Sequence, residues 1–567
     1  MTTFDETAQQ KKLEELREQE EEDLVRVLAE TKYNLPYIDL AGVVVENEAM
    51  RHIDEEESRR LEVVPFKLSG KHIYLGVRTP QKDGLLEIRD RLLNKGLLPT
   101  FYMVSQRSLK KVWERYTELS HATQSRSGGL DIEGDRLKAI GKEIHTLNDV
   151  QGQVTAIIHA NKPHKISQIF EVILAAGITL GASDIHIEPG EENVRVRFRL
   201  DGVLQENLVL DKETHRLLNS RIKLLSSMKL TNEALAQDGR FSIFMDDSEI
   251  SMRVSTVPGT YGEGVVMRIL NPKSIQVKLE DMGIDPRLFE VIEKEIAKPN
   301  GMILITGPTG SGKTTTLYAF LQRIYSPEVK IITIEDPVEY HLKGITQTQT
   351  ESEKGYGFLQ GLRAALRQDP DIIMVGEIRD AETAKIAVES SLTGHLVFST
   401  LHTNNAAGVI PRLIDLEVNP KIMASALSLS MAQRLVRKLC KYCKTTRPPT
   451  EKEEAILRDI LKNAEATGKG IERYNLKADM PIVLGKTVGC EKCNHTGYKG
   501  RIGIFEAIMT DEAIENIIPQ NPSEREIKRA AIPQGIFDMR EDGAVKILSG
   551  MTSIEEVQDV VDLEETI

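Results

Sequence analysis

The stretch GPTGSGKTTT, residues 307–316, constrains the fold of this chain more than any other feature of its sequence. It fits the pattern GxxxxGK[ST], in which glycines let backbone N–H groups face phosphate oxygens. The apolar run MILIT precedes it, and the helical segment TTTLYAFLQRIY follows it. A strand, a glycine loop and a helix N-terminus in this order predict a phosphate-binding site. The residues expected to contact phosphate are Gly307, Pro308, Thr309, Gly310, Ser311, Gly312, Lys313, Thr314 and Thr315.

Two residues of this loop have distinct expected roles. Lys313 should reach the β- and γ-phosphates, and the Thr314 hydroxyl should bind Mg²⁺. The alternative is a plain glycine turn before a helix, which the flanking strand and helix disfavour. The predicted cofactors of the loop are therefore ATP and Mg²⁺.

Apolar runs alternate with helical segments after residue 285, which predicts a parallel α/β sheet covered by helices. The runs ITIEDPVEY, DIIMVGE and HLVFSTLH carry charged or titratable groups at their ends. Ligands bind at the carboxyl ends of strands in such sheets, so these groups should converge on the phosphate loop. Carboxylates there could orient a water toward the γ-phosphate, and a neutral histidine could sense that phosphate. The groups are Glu335, Asp336, Glu339, Glu377, His402 and, as a weaker candidate, His395.

The second of these runs departs from the usual pattern. A hydrophobic strand that binds the metal side of a nucleotide commonly closes in Asp-Glu, whereas this one closes in Gly376 and Glu377. Either Glu377 acts on the metal or its waters alone, or an acid from the ITIED segment helps. The sequence leaves both alternatives open.

Composition and charge limit the class of protein. A chain of 567 residues is long enough for three or four domains, and its net charge of −13 argues against a general nucleic-acid binder. The most apolar stretch, FEVILAAGITLGA, is too short to span a bilayer and predicts a buried helix. The N-terminus has no signal-peptide pattern, so we expect a cytoplasmic protein.

All four cysteines occur in two CxxC pairs, CKYC and CEKC. In a reducing compartment this arrangement favours metal over disulfide, and two pairs can form a tetrahedral Cys₄ zinc site. Redox-active CxxC pairs are the alternative. Four thiolates leave no open coordination position, so the predicted zinc is structural. Its ligands are Cys440, Cys443, Cys490 and Cys493.

Several segments together resemble the secretion ATPases of the type II secretion and type IV pilus systems. In the core these are GPTGSGKTTT, TIEDPVEY, LRAALRQDPDIIMVGEIRD and LTGHLVFSTLHTN. In the preceding domain they are GASDIHIEP, VRFRLDGVL and MRVSTVPGTYGEGVVMRIL. The resemblance covers roughly residues 150 to 510, and the first 135 residues share it only weakly.

This resemblance implies an α/β fold with a RecA-like P-loop ATPase core. A PAS-like α/β domain should precede the core, with a small N-terminal domain before it and a zinc-containing insert after it. The expected segments are an N-terminal adaptor domain (1–120), a linker (121–147), a second N-terminal domain (148–272), the ATPase core (283–430), the tetracysteine insert (431–510) and a C-terminal helical region (511–567).

The resemblance also assigns roles to individual residues. Arg253 and Arg268 of the preceding domain match arginines that meet the γ-phosphate, and Arg363 matches a further arginine near the site. Glu339 matches the water-activating glutamate, and Glu377 the metal-side glutamate. Whether each arginine acts within its own subunit or across an interface stays open. By contrast, the alternation of Arg195, Arg197 and Arg199 predicts surface ion pairs along one strand face.

The implied assembly is a homohexameric motor at the inner face of the cytoplasmic membrane, attached through an inner-membrane platform protein. A tetracysteine insert and an extra N-terminal domain are typical of assembly and export members, so we expect a type IV pilus assembly ATPase. The first alternative is a type II secretion ATPase that exports folded proteins. A nucleic-acid translocase is a more remote alternative, and no nucleic-acid partner is expected.

Overall fold

The computed structural model describes residues 21–564, apart from 41, 42, 44, 51, 82, 83, 120–122, 125–129, 161–163, 246, 247 and 273–276. The chain divides into two compact units, Met1–Glu133 and Gly134–Ile567. The start of the predicted N-terminal domain and much of the predicted linker lie outside the described residues. Within the described residues, no helix is both long and apolar enough to cross a bilayer.

The first unit is built on a three-stranded sheet in which β1 and β2 are antiparallel and β2 and β3 are parallel. The helix Leu85–Asn94 packs on one face of this sheet and the helix Gln106–Leu119 on the other. The first unit is therefore a small α/β domain. Its strands are β1 Val63–Ser69, β2 His72–Val77, β3 Leu98–Met103, β4 Thr123–Gln124 and β5 Leu130–Glu133, and its helices are Ala29–Tyr33, Asn47–Met50, Glu55–Leu61, Leu85–Asn94 and Gln106–Leu119.

The second unit opens with helices and an antiparallel sheet, in which six strands follow the order β9-β10-β11-β6-β7-β8. The apolar helix Lys165–Thr179 is buried over nine consecutive residues, as its sequence predicts. The helix Gly134–Gly141 also belongs to this unit, since Arg136 Nε lies 2.9 Å from Glu171 Oε2. The predicted linker therefore ends earlier than residue 147. The elements are β6 Asp184–Pro189, β7 Val194–Leu200, β8 Val203–Leu210, β9 Gln237–Met245, β10 Ser248–Val257 and β11 Gly264–Leu270, with helices Gly134–Gly141, Leu147–Ala160, Lys165–Thr179 and Lys212–Leu225.

The core of the second unit is a seven-stranded sheet of order β14-β13-β15-β16-β12-β17-β20. All neighbours are parallel except β17 and β20. The all-apolar or all-buried strands β12, β13, β15 and β16 confirm the predicted parallel α/β sheet. The strands from here on are β12 Gly301–Thr306, β13 Ile331–Glu335, β14 Thr346–Gln349, β15 Ile372–Val375, β16 Leu396–Leu401, β17 Leu427–Leu439, β18 Thr445–Arg447, β19 Leu484–Lys486 and β20 Tyr498–Met509.

Helices cover both faces of this sheet. The first of them starts where Asp285 accepts hydrogen bonds from the backbone of Arg287 and Leu288, with Pro286 in its first turn. The core helices are Pro286–Ile296, Lys313–Ile324, Phe358–Ala365, Ala381–Leu392, Val409–Asp415 and Pro420–Ala426, with short 3₁₀ turns at Leu279–Met282, Ser352–Lys354 and Leu366–Gln368.

The cysteine lobe is smaller than predicted. The expected insert begins at residue 431 and ends at 510, whereas β17 and β20 cross both boundaries as strands of the core sheet. The basic residues of β17 obscured its buried apolar positions, such as Met431 and Val436. The lobe proper is therefore residues 440–497, with β18, β19, the helix Glu451–Ala466 and 3₁₀ turns at Ile471–Tyr474 and Glu491–Cys493.

The C-terminal segment is helical, and it shares the core of the sheet. Ile514, Ile527 and Ile547 are fully buried in the same apolar cluster as Val397 of β16. The helices are Glu512–Ile517, Glu524–Ala531, Met539–Leu548 and Ile554–Gln558, with 3₁₀ turns at Ile518–Gln520 and Ile532–Gln534.

Candidate nucleotide site and metal centre

The phosphate loop leaves β12 after Thr306 and leads into the helix Lys313–Ile324. The phosphate loop lies directly against β17. A Cβ atom at Gly307 would come 2.5 Å from the carbonyl oxygen of Gln433, and one at Gly312 would come 2.8 Å from Gln433 Nε2. Both glycines also have positive φ, at 143° and 90°. These positions accept only glycine, so the loop keeps its backbone N–H groups available for a ligand.

Lys313 and Ser311 fit a phosphate ligand. Lys313 Nζ donates to the carbonyl oxygens of Gly307 at 2.8 Å and Pro308 at 3.1 Å. Burial lowers the pKa of Lys313, while the carboxylate of Glu377 opposes that shift and Arg434 adds to it. The buried Ser311 hydroxyl has no hydrogen-bond partner among the described residues. The loop thus offers a cation, a free hydroxyl and backbone donors, which suits the phosphates of a nucleotide.

Glu377 and His402 meet beside the phosphate loop, as the sequence predicts. Glu377 follows β15, His402 follows β16, and His402 Nε2 lies 3.2 Å from Glu377 Oε2. Arg379 forms an ion pair with the other oxygen of Glu377. Because Glu377 also acts on the pKa of Lys313, these groups form one electrostatic cluster. Thr314, the expected Mg²⁺ ligand, is exposed in the first turn of the helix that follows the loop.

Glu335 has a different environment from the one predicted for a catalytic group. Its side chain is buried, and its oxygens accept hydrogen bonds from Thr333 Oγ1 at 2.5 Å, Gln347 Nε2 at 3.1 Å and the Tyr318 hydroxyl. Burial raises the pKa of Glu335. Both carboxyl oxygens are therefore engaged within the protein, which suits a residue that positions its neighbours.

Gln347 joins Glu335 to the loop that carries Glu339. Gln347 Nε2 also lies 3.1 Å from the carbonyl oxygen of Tyr340, and Gln347 Oε1 accepts from the Leu342 N–H at 2.6 Å. No sequence pattern marks Gln347, because a single polar residue on a short edge strand belongs to no motif. These bonds fix the backbone that directly follows Glu339.

We expect Gln347→Leu to lower kcat for ATP hydrolysis about 10- to 100-fold and to leave KM nearly unchanged, because the loop carrying Glu339 would lose its anchors while the phosphate loop stays intact. Steady-state kinetics on the folded variant measure this. Gln349→Leu is the matched control, since Gln349 is an exposed residue of the same strand. Equal kinetics for the two variants would contradict the positioning role of Gln347.

The predicted arginines lie in different surroundings. Arg253 reaches the core, where Nη2 donates to the Val338 carbonyl at 2.5 Å and Nη1 lies 3.6 Å from Glu339 Oε2. Arg268 Nε lies 3.0 Å from Asp184 Oδ1. The structure therefore brings Arg253 to the Glu339 loop and pairs Arg268 within its own sheet. Arg363 is exposed, with Nη2 4.0 Å from a Glu382 oxygen.

Two further expectations are settled by contacts. Arg195, Arg197 and Arg199 pair with carboxylates of neighbouring strands at 3.8, 2.6 and 3.3 Å, which confirms the predicted surface ion pairs. His395 lies before the start of β16, at the end of that strand opposite to His402, and its Nδ1 is 3.0 Å from the Ser390 carbonyl. The weaker candidate His395 therefore lies at the edge of the sheet opposite to the carboxyl ends of the strands, where Glu377 and His402 are found.

The support that β17 gives to the phosphate loop also has no signal in the sequence. Gln433 Oε1 accepts from Thr316 Oγ1 at 2.7 Å, and Arg434 donates to the Asn404 carbonyl at 2.7 Å, two residues after His402. Because Thr306 pairs with Ala432 in parallel strands, the side chains of Gln433 and Arg434 lie beside the loop. That pairing joins segments far apart in the chain, so no local sequence pattern indicates it.

The four cysteines form the metal-ligating cluster predicted for them. Their sulfur atoms all lie within 4.8 Å of one another, with Cys440–Cys490 at 3.9 Å, Cys443–Cys493 at 3.8 Å and Cys490–Cys493 at 3.7 Å. A tetrahedral ion with Zn–S bonds of about 2.3 Å requires sulfur atoms about 3.8 Å apart. The cluster therefore fits a structural Zn²⁺ site.

Comparisons with known proteins agree with these features. The family model described as type II/IV secretion system protein matches residues 159–559, and the MshEN domain model matches residues 33–123. Type II secretion system protein E of Aeromonas hydrophila is 45% identical over 401 residues, which are 71% of this chain and 76% of that protein. The type IV pilus assembly ATPase PilB of Myxococcus xanthus is 35% identical over 527 residues, 93% of this chain and 89% of that protein.

A solved structure shares the fold. The ATPase DotB of Yersinia pseudotuberculosis is similar with a TM-score of 0.50 and 19% sequence identity. The match covers 70% of this chain and 94% of DotB.

Proposed function

Because the chain belongs to the type II/IV secretion system protein family, we propose that it is the ATP-driven motor of type IV pilus assembly. Its membership confirms the predicted RecA-like ATPase core, with ATP and Mg²⁺ as cofactors. One observation favours pilus assembly. The similarity to the Myxococcus pilus assembly ATPase extends over 93% of this chain, whereas the similarity to the Aeromonas type II secretion protein covers 71%. A match over 527 of the 567 residues must include part of the N-terminal unit, Met1–Glu133.

In the proposed reaction, Glu339 orients the attacking water in line with the γ-phosphate. Glu377, after β15, would hold the metal side, and His402, after β16, would donate to the terminal phosphate. Bound Mg²⁺ would neutralise charge on the phosphate oxygens, with Thr314 as its protein ligand. Lys313 holds the β- and γ-phosphates, and Glu335 with Gln347 keeps Glu339 in place.

The arginines would couple this reaction to movement. Arg253 already bonds the backbone of the Glu339 loop, and its guanidinium would contact a terminal phosphate when nucleotide binds. Arg268 would leave Asp184 for the phosphate, and Arg363 would add charge nearby. Since Arg253 and Arg268 belong to the preceding domain, phosphate release would free that domain to move against the core.

In the proposed setting, six copies form a ring in the cytoplasm, at the inner face of the membrane. The ring would pass its movement to a platform protein in that membrane, which adds pilin subunits to the pilus. The absence of a nucleic-acid partner is part of this proposal, in keeping with the net charge of −13.

The second candidate is a type II secretion ATPase that exports folded proteins. The 45% identity with the Aeromonas secretion protein favours it, because that is the higher identity of the two relatives. The same motor chemistry would serve both functions, and the platform protein distinguishes them.

Co-purification from cross-linked membranes tests this proposal. We expect the tagged full chain to recover a platform protein together with pilin, and Lys313→Ala, which blocks ATP use without changing the surface, to recover the same partners. Recovery of pseudopilin and secretion components instead would favour the second candidate. Recovery of neither set would contradict both.

A further inference from the structure

One row of side chains crosses five neighbouring strands of the antiparallel sheet. Arg253 of β10 is paired with Arg240 of β9 on one side and with Arg268 of β11 on the other. The row continues from Arg268 to Asp184 of β6 and to Arg199 of β7. Residues directly opposite each other in adjacent strands lie on the same face, with Cβ atoms about 5 Å apart. The row therefore presents four arginines and one aspartate on a single face.

The carboxylates near this row do not balance its charge. Asp184 is shared, since its oxygens lie 3.0 Å from Arg268 and 3.3 Å from Arg199. Arg253 has Glu339 at 3.6 Å. Arg240 is exposed, and within the described part of the chain no carboxylate comes within the 4.0 Å limit of an ion pair with it. Four guanidinium groups therefore share two carboxylates, those of Asp184 and Glu339.

The row points toward the nucleotide site. Its second residue, Arg253, bonds the backbone of Val338 beside Glu339. Burial lowers the pKa of Arg253, and the charges of Arg268 and Arg240 lower it further, so all three cations share one electrostatic environment. An anion placed among them would relieve this repulsion. A terminal phosphate carries two or more oxygens that can accept from separate guanidinium groups.

We propose that Arg240 is a third arginine of the preceding domain that binds the terminal phosphate of ATP. This role rests on the proposed function of Arg253 and Arg268, and it extends the arginine set beyond the positions that the family resemblance identified. Arg240 stands next to Arg253 on the side away from Arg268. The three guanidinium groups together would enclose the terminal phosphate from one face. ADP lacks that phosphate and would not engage Arg240.

The test compares Arg240→Gln with Arg195→Gln. Arg195 is an exposed arginine of the same sheet that already has a carboxylate partner, so its replacement controls for loss of surface charge. We expect Arg240→Gln to weaken binding of a non-hydrolysable ATP analogue about 10- to 100-fold, to leave ADP affinity unchanged and to lower kcat/KM by a similar factor. Arg240→Lys should recover part of the loss. Circular dichroism and thermal unfolding establish that each variant folds.

Arg253→Gln, measured in parallel, separates the role of Arg240 from the arginine mechanism of the proposed function. A loss in Arg253→Gln with native binding and kinetics in Arg240→Gln would overturn the role of Arg240 alone. Native behaviour in both variants would overturn the arginine mechanism of the proposed function. Equal losses of ATP-analogue and ADP affinity in Arg240→Gln would also overturn the proposal, because the terminal phosphate would not be the group recognised.

Discussion

Glu339→Gln is expected to retain ATP binding and to lose most turnover, with kcat reduced about 10²- to 10⁴-fold. Glutamine has the size of glutamate but no negative charge, so it can neither accept a proton from the attacking water nor orient it as strongly. The phosphate loop lies on separate elements and would keep its contacts. The measurement is phosphate release under saturating Mg-ATP, together with the affinity for a fluorescent ATP analogue.

Glu353→Gln is the matched control, because Glu353 is an exposed glutamate outside the site. Native turnover in this control shows that loss of one negative charge has no general effect. Unchanged turnover in Glu339→Gln would remove Glu339 from the mechanism. A parallel loss of nucleotide affinity would show that the residue binds ATP rather than activating water.

The second large effect is expected from the double variant Cys440→Ser and Cys443→Ser. Removing two of four thiolates should release zinc and unfold the lobe of residues 440–497, since structural zinc in small domains contributes about 10 kcal/mol or more to folding. The effect should extend beyond the lobe. Asn494, next to Cys493, accepts from the Leu147 N–H at 3.2 Å, so the preceding domain would lose a contact.

Metal analysis and thermal unfolding measure this outcome. The parent protein should carry about one zinc ion per chain, and the variant should carry none and unfold at lower temperature. Tyr442→Ser is the control, since Tyr442 is 61% exposed and lies between the two altered cysteines. A parent protein without zinc would end the metal assignment. Zinc loss without any change in unfolding would contradict its structural role.

The core fold could be predicted because its signals are local. The glycine loop follows a short apolar strand and precedes a helix, so strand, loop and helix occur within about 20 residues, the scale at which sequence patterns are informative. The same holds for Glu377 and His402, each placed directly after an apolar run. Their meeting at 3.2 Å follows from the rule that parallel strands share a carboxyl edge.

The parts that escaped prediction depend on contacts between distant segments. Strand β17 was assigned to the cysteine insert because its arginines mask its apolar face, although it pairs with β12 more than a hundred residues earlier. Glu335 follows the same pattern as Glu377, yet Tyr318 and Gln347 enclose it. Arg240 carries no motif of its own, and only the register of β9 against β10 places it beside Arg253.

In the mechanism proposed above, Mg-ATP is held between the core and the preceding domain, with the arginines of that domain on its terminal phosphate. A structure of the full assembly with Mg²⁺ and a non-hydrolysable ATP analogue tests it most directly. We predict the guanidinium groups of Arg253 and Arg268 at hydrogen-bond distance, about 3 Å, from terminal phosphate oxygens in at least one subunit arrangement. Both groups remaining far from that phosphate in every subunit would contradict the account.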